Sequence, residues 1–257
     1  MKSPPLDIDF GPVAHIRSPT AAPTVMMVCE HASNRIPKGL QALGLSEAAR
    51  RSHIAWDPGA EPLAQAMADR LDAVLVSGGV SRLVYDCNRA PQAASSIPER
   101  SEVFSIPGNQ SLSEADRAQR IAAVYAPFCA AVQDQLARYR TTLRQLITIH
   151  SFTPVYNGQA REVEIGILHG RDRRFAIAMM QSLEPDLPFT VRLNEPYAAA
   201  ADGIAHTLDR HGADNALPNV MIEVRNDLIA NGAQQQAMAQ RLVPWINAAR
   251  SRLKAHT

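Results

Sequence analysis

Apolar residues in this chain fall into two kinds of run. The first kind is short and unbroken, as in Thr24-Val25-Met26-Met27-Val28-Cys29 and Leu146-Ile147-Thr148-Ile149. Runs of this kind, rich in β-branched residues, predict strands buried on both faces of a parallel sheet. Seven segments qualify: Val25–Cys29, Val74–Val76, Leu83–Tyr85, Gln145–Ile149, Val163–Leu168, Phe189–Leu193 and Val220–Val224. The second kind is periodic. Leu63, Met67 and Leu71 repeat every four residues and predict a helix over Pro62–Leu71. Ser113, with Asp116 three residues on, predicts the start of a longer helix whose inner face carries Ile121, Val124, Phe128, Val132, Leu136 and Tyr139. Pro127 inside that pattern should kink or divide it. A last helix is expected from about Gln234 to Lys254, with Met238, Leu242, Trp245, Ala249 and Leu253 inward. Strands alternating with helices predict an α/β fold: one domain over residues 24–257, a mostly parallel, mixed central sheet and helices on both faces. Residues 1–23 read as a lead-in arm, and Gly78-Gly79, Asn157-Gly158 and Asn231-Gly232 as turns. Ala90 to Gln110, broken by Pro91, Pro98 and Pro107, reads as a long surface loop of the sort that covers active sites.

Composition narrows the class. The net charge is +1 and the basic residues are scattered, which argues against a nucleic-acid partner. No stretch approaches the roughly 20 apolar residues that span a bilayer. The first residues, Met1-Lys2-Ser3-Pro4-Pro5-Leu6-Asp7, lack the apolar core of a secretion signal. Cys29, Cys87 and Cys129 are odd in number and far apart, which fits a reducing cytoplasm better than a disulfide framework.

The chemistry sits at strand ends, where open α/β sheets collect their functional groups. His31, in Glu30-His31-Ala32-Ser33-Asn34, follows the first buried run, and His150 ends the later one. Two imidazoles arriving from different strands could share one metal ion; each could equally be a strand-end histidine bonded to backbone. Asn34 could join them as an oxygen ligand or serve only as a turn residue. Glu223, in an otherwise apolar strand, suits a general base near a metal, against the alternative of an ion pair with Arg225. The block Ser81–Arg89 offers Asn88 and the Arg89 fork for a carboxylate or oxyanion, unless Asp86 and Arg89 simply pair with each other. Asp57, before Pro58, is either a helix cap or a metal ligand. His15, His53, His206 and His211 receive no role. Arg82, Arg89, Arg161 and Arg192 are candidates for holding the carboxylates of a small acidic substrate.

Four ordered blocks carry a family resemblance: Cys-Glu-His-Ala-Ser-Asn-Arg-Ile-Pro (29–37), Ser-Arg-Leu-Val-Tyr-Asp-Cys-Asn-Arg (81–89), His-Ser-Phe-Thr-Pro (150–154) and Ile-Glu-Val-Arg-Asn-Asp-Leu-Ile (222–229). Over roughly Val25 to Ile229 the chain resembles the N-formylglutamate amidohydrolases, which release formate and glutamate in histidine breakdown. That family is similar in turn to zinc carboxypeptidases and aspartoacylases, which implies a zinc-exopeptidase-like (phosphorylase/hydrolase-like) fold. The resemblance implies His31 and His150 as ligands of a divalent ion, Zn²⁺ or else Co²⁺. It also implies Asn88 and Arg89 as substrate-binding groups, and Glu223 as the base. Where the zinc enzymes have His-x-x-Glu, this chain has Asn34, and Asp57 is the candidate to supply the missing carboxylate. The reaction expected is hydrolysis of the N-formyl amide of an acidic amino acid, with Arg82 and Arg161 as further substrate contacts and Arg89 also stabilising the oxyanion. Three alternatives stay open: an N-acyl amino-acid or small-peptide hydrolase of related mechanism, a cysteine enzyme built on Cys29, and a binder of acidic amino-acid derivatives without catalysis.

Overall fold

All five side chains of the first predicted strand are buried, with alternate ones entering two different cores. Val25, Met27 and Cys29 face one side of a sheet, Met26 and Val28 the other, as the twofold pleat requires. The structure, a computed structural model, describes residues 8–197 and 203–255.

In chain order the elements are β1 (Ala14–Arg17), β2 (Val25–Cys29), α1 (Glu47–Arg51), α2 (Ala60–Leu71) and β3 (Val74–Gly78). A small hairpin follows, β4 (Arg100–Ser101) and β5 (Phe104–Ser105). Then come α3 (Glu114–Arg120), α4 (Ala126–Arg138), β6 (Gln145–Phe152), a second hairpin of β7 (Val155–Tyr156) and β8 (Gln159–Ala160), and β9 (Ile165–Leu168). The rest is α5 (Arg174–Gln181), β10 (Val191–Leu193), β11 (Asn219–Arg225) and α6 (Gly232–Ala255).

The seven strands of the main sheet run in the order β1-β3-β2-β6-β11-β9-β10. Strands β3, β2, β6 and β11 are parallel, β1 is antiparallel to β3, and β9 is antiparallel to β11. One face packs on Leu63 and Met67 of α2, Phe175 and Met179 of α5 and Leu242 and Trp245 of α6. The other packs on Phe128, Val132 and Leu136 of α4. This is the single α/β domain with a mixed, mostly parallel sheet that the pattern predicts.

Three expectations need correction. Leu83–Tyr85 is not a strand: the Ser81 carbonyl accepts from Val84 N at 2.9 Å and its hydroxyl from Leu83 N at 3.1 Å, closing a turn. The buried carbonyls of Leu83 and Val84 are met by the Asn109 amide and the Arg120 guanidinium instead of a ladder. The 1–23 arm is partly sheet, since β1 pairs with β3 and Phe10 is buried; its residues 1–7 lie outside those described. The 90–110 stretch is a tethered loop. Ser96, Ile97, Ile106 and Asn109 are buried, while Ser95, Pro98, Arg100, Ser101 and Glu102 line a cavity.

The Ser113–Asp116 capping box forms as predicted, and the helix it starts is divided. A π-helical turn at Ile121–Tyr125 separates α3 from α4 just before Pro127. Proline has no N–H to bond the preceding turn and its ring crowds that turn's carbonyl, so the backbone widens there.

Candidate active site

Three neighbouring strands end at one cavity. β6 pairs with β2 (Val28 opposite Thr148) and with β11 (Glu223 opposite His150). His31, two residues past β2, His150 and Glu223 therefore meet at the same end of the sheet. They line a cavity of about 580 Å³ together with Asp57, Arg82, Asp86, Arg89 and Arg161.

Asp57 arrives by a turn. Its N–H donates to the His31 carbonyl at 2.9 Å, and Gly59, at φ +81°, swings the chain into α2. A Cβ at Gly59 would run into the Ile229 carbonyl oxygen, so glycine is required there on two counts. Gly59, not Asp57, is the cap residue of α2, and the Asp57 carboxylate points between the two histidines. Its Oδ2 is 3.2 Å from His31 Nδ1 and 2.9 Å from His150 Nδ1, and it accepts from Ser151 N at 3.3 Å. The rings sit edge to face, 4.9 Å apart.

The outer ring nitrogens also meet carboxylates. His31 Nε2 is 2.7 Å from Asp86 Oδ1, and His150 Nε2 is 3.2 Å from Glu30 Oε2. Arg82 bridges the two aspartates, at 3.3 Å from Asp57 Oδ1 and 2.9 Å from Asp86 Oδ2. Asp86 has a third donor in Asn88 N at 3.0 Å, and its carboxyl stays well below the usual range although burial opposes this, because His31, Arg82 and Arg89 favour the anion. Burial and Arg82 would lower the His31 pKa, but Asp86 and Asp57 outweigh them and raise it. His150 is raised well above its ordinary value against the same burial, chiefly by Glu30 and Asp57. Glu223 behaves differently: burial first, then Asp57, pushes it up to about 7 against the opposing pull of His150. Among the described residues its Oε2 is buried without a partner, and Arg225, the alternative partner, pairs with Glu164 and Asp227.

The donor set fits a divalent cation. One atom each from His31, Asp57 and His150 lie within 4.8 Å of one another, all buried. Both imidazoles turn Nδ1 inward; His31 Nε2 hydrogen-bonds Asp86, and His150 Nε2 lies 3.2 Å from Glu30, carboxylate neighbours of the kind that support a metal-bound histidine. Four buried carboxylates (Glu30, Asp57, Asp86, Glu223) gather at this end of the sheet, with the guanidiniums of Arg82, Arg89 and Arg161 on the cavity wall. A divalent ion would compensate these carboxylates, the same groups that raise the pKa of both histidines in the metal-free site.

Other predicted residues fall elsewhere. Asn34 is outside the cluster: its amide donates to the Arg50 carbonyl at 3.1 Å, at the end of α1, so the oxygen donor beside the histidines is Asp57. Asn88 lines the cavity, and its amide also ties down the 203–212 segment, donating to Ile204 O at 2.6 Å and accepting from Thr207 N at 3.0 Å. Arg192 is exposed, bonds its neighbour's carbonyl and does not line the cavity. Cys29 is buried in the core under α2, and burial pushes its thiol well above the ordinary range, which removes it as a nucleophile. The Asp86–Arg89 pair is stretched to 4.0 Å, and among the described residues Arg89 Nε has no partner. Arg161 lies against Phe152, Tyr156 and Tyr197 at 5.5, 4.6 and 4.9 Å from the ring centres. Sequence reasoning missed Glu30 and Tyr197. A carboxylate placed directly after a wholly apolar strand was the available signal for Glu30; Tyr197 offered none.

A match to the family model for N-formylglutamate amidohydrolase covers residues 23–230. The solved gene product Atu2144 from Agrobacterium tumefaciens is 45% identical over 95% of this chain and 97% of its own, with a TM-score of 0.91. The N-formylglutamate amidohydrolase from Ralstonia eutropha JMP134 shares the fold at 14% identity and a TM-score of 0.63, over 93% of this chain and 98% of that one. Among curated proteins nothing matches. With the family model spanning all three site-bearing strands, the chain belongs to the N-formylglutamate amidohydrolase family, hydrolases of amide bonds.

Proposed function

We propose that the protein hydrolyses the N-formyl amide of an acidic amino acid, N-formyl-L-glutamate first among them, with a divalent metal ion held by His31, Asp57 and His150. The observation that carries this reading is the pairing of that donor trio with Glu223, a carboxylate on the adjacent strand whose Oε2 has no partner and whose pKa lies near neutrality. Bound there, Zn²⁺ or Co²⁺ would supply Lewis-acid polarisation and a more acidic water. Glu223 takes the proton from the attacking water and returns it to the departing amine, a task suited to a group that titrates close to working pH. Arg89, with an unpaired buried Nε, faces the oxyanion or a substrate carboxylate. Arg161 offers a guanidinium held between aromatic rings to the second carboxylate. Arg82, already bridging Asp57 and Asp86, keeps those two carboxylates in place and is a weaker substrate contact.

The cavity, at about 580 Å³, lies in the range that encloses drug-sized ligands and so supports a second reading, an N-acyl amino acid or short peptide as substrate. The three cysteines are buried and unpaired, which supports a reducing compartment, the cytoplasm. Among the described residues no helix is long and apolar enough to cross a membrane. The deciding experiment is formate release from N-formyl-L-glutamate by chelator-stripped protein, with and without Zn²⁺ or Co²⁺. Metal-restored release is expected. Release that is equally fast without metal removes the metal from the mechanism, and no release with any metal moves the substrate to the larger N-acyl compounds.

A further inference from the structure

We infer that Glu30 is a positioning residue: it holds the His150 ring so that Nδ1, not Nε2, is presented to the metal site. The inference rests on the reading of His31, Asp57 and His150 as that site. Glu30 is the first residue after β2, and β2 lies beside β6, so its side chain enters the sheet end next to His150. It is buried, and its polar neighbours are His150 Nε2, 3.2 Å from Oε2, and the Thr207 hydroxyl. Among the described residues no arginine pairs with it, unlike Asp57 and Asp86, which share Arg82. A buried carboxylate without a guanidinium is costly unless a neighbour compensates it. His150 is the group placed to do so.

Glu30 does not line the cavity, so it does not touch substrate. Its action has to pass through the ring. Nε2 and Glu30 Oε2 are 3.2 Å apart, a charge contact short of hydrogen-bond geometry, and on the other side of the ring Nδ1 is 2.9 Å from Asp57 Oδ2, to which it donates; once that proton is lost, the Nδ1 lone pair faces the donor trio. Asp86 holds His31 Nε2 from the opposite flank. A ring turned over would send the Nδ1 lone pair away from Asp57 and break the convergence of the three donors. Thus the two histidines are clamped independently, one by a carboxylate from the 81–89 block, the other by the residue that adjoins the first histidine in sequence.

The test compares wild type with Glu30→Gln and Glu30→Ala. Zn²⁺ affinity is measured by competition with a chromophoric chelator, the Co²⁺ visible spectrum reports ligand geometry, and metal-free melting reports the fold. Glu30→Ala is expected to bind Zn²⁺ about 10- to 100-fold more weakly with an altered cobalt spectrum. Glu30→Gln, which keeps an acceptor oxygen, should fall between it and wild type. A purely structural role would lower the metal-free melting temperature and leave zinc affinity and the cobalt spectrum at wild-type values; that result overturns the inference. If Glu30→Ala does not fold, ¹⁵N NMR of the histidine rings in zinc-loaded wild type decides: Nδ1 of His150 coordinated and Nε2 protonated upholds it, the reverse overturns it. Wild type that binds no metal would sink the metal site itself and the inference with it, and that failure is recognisable because it appears before any substitution.

Discussion

At the scale of single residues, the site separates groups that hold from groups that react. Glu223 alone among the four buried carboxylates combines an oxygen without a partner with a raised pKa and a place on the cavity wall. Glu223→Gln is expected to lower kcat by about 10²- to 10⁴-fold while zinc content stays at the wild-type level; comparable loss of zinc would make Glu223 a ligand instead. Asp57 and Asn34 give an opposed pair. Asp57→Ala should abolish stoichiometric zinc, whereas Asn34→Ala, which loses a bond to Arg50 O, should keep it. Metal analysis of the two purified variants checks both. The histidines and Glu223 were legible because each stands in or just past an apolar strand. Asp57 was ambiguous because an Asp-Pro-Gly turn has the composition of a helix start whether or not the carboxylate caps it.

At the scale of elements, periodicity predicted what packing decides and failed where side chains replaced a ladder. The strands β2, β3, β6 and β11 and the helices α2 and α6 follow their apolar patterns to within a few residues. Leu83–Tyr85 has a strand's composition but gets its backbone partners from Asn109 and Arg120, which no local pattern announces. The turn between Asp57 and α2 is the element on which the site depends most. Gly59→Ala forces a left-handed residue against the Ile229 carbonyl, and the expected cost is roughly 1–3 kcal/mol. Thermal or urea melts measure that cost. Because the same turn aims Asp57, zinc affinity should drop as well; an unchanged affinity would mean that the turn relaxes without moving the carboxylate.

At the scale of the whole molecule, one buried histidine outside the site links folding to pH. His211 is buried, its Nδ1 lies 3.1 Å from the Gln133 amide nitrogen, and burial, with Arg210 assisting, pushes its pKa down to about 4. In the unfolded chain it titrates near 6.5. Between those values the unfolded chain binds a proton that the native state refuses, so stability falls as pH drops from about 6.5 towards 4. Unfolding free energies from urea melts at pH 7 and pH 5 should therefore differ more for wild type than for His211→Gln, by roughly 1–2 kcal/mol. Equal differences would remove His211 as the cause.

The central position of β6 has a consequence for the nascent chain. Its eight residues are wholly buried in the native sheet, yet its partner β11 begins only at Asn219. At about 5–20 residues per second, synthesis leaves that edge of β6 open for roughly 3–15 seconds. An open apolar edge is a template for other chains. Ribosomes that stall before Asn219 would release a chain that carries the whole β2–β6 pair with one flank bare, and such chains should enter inclusion bodies while chains reaching past β11 do not.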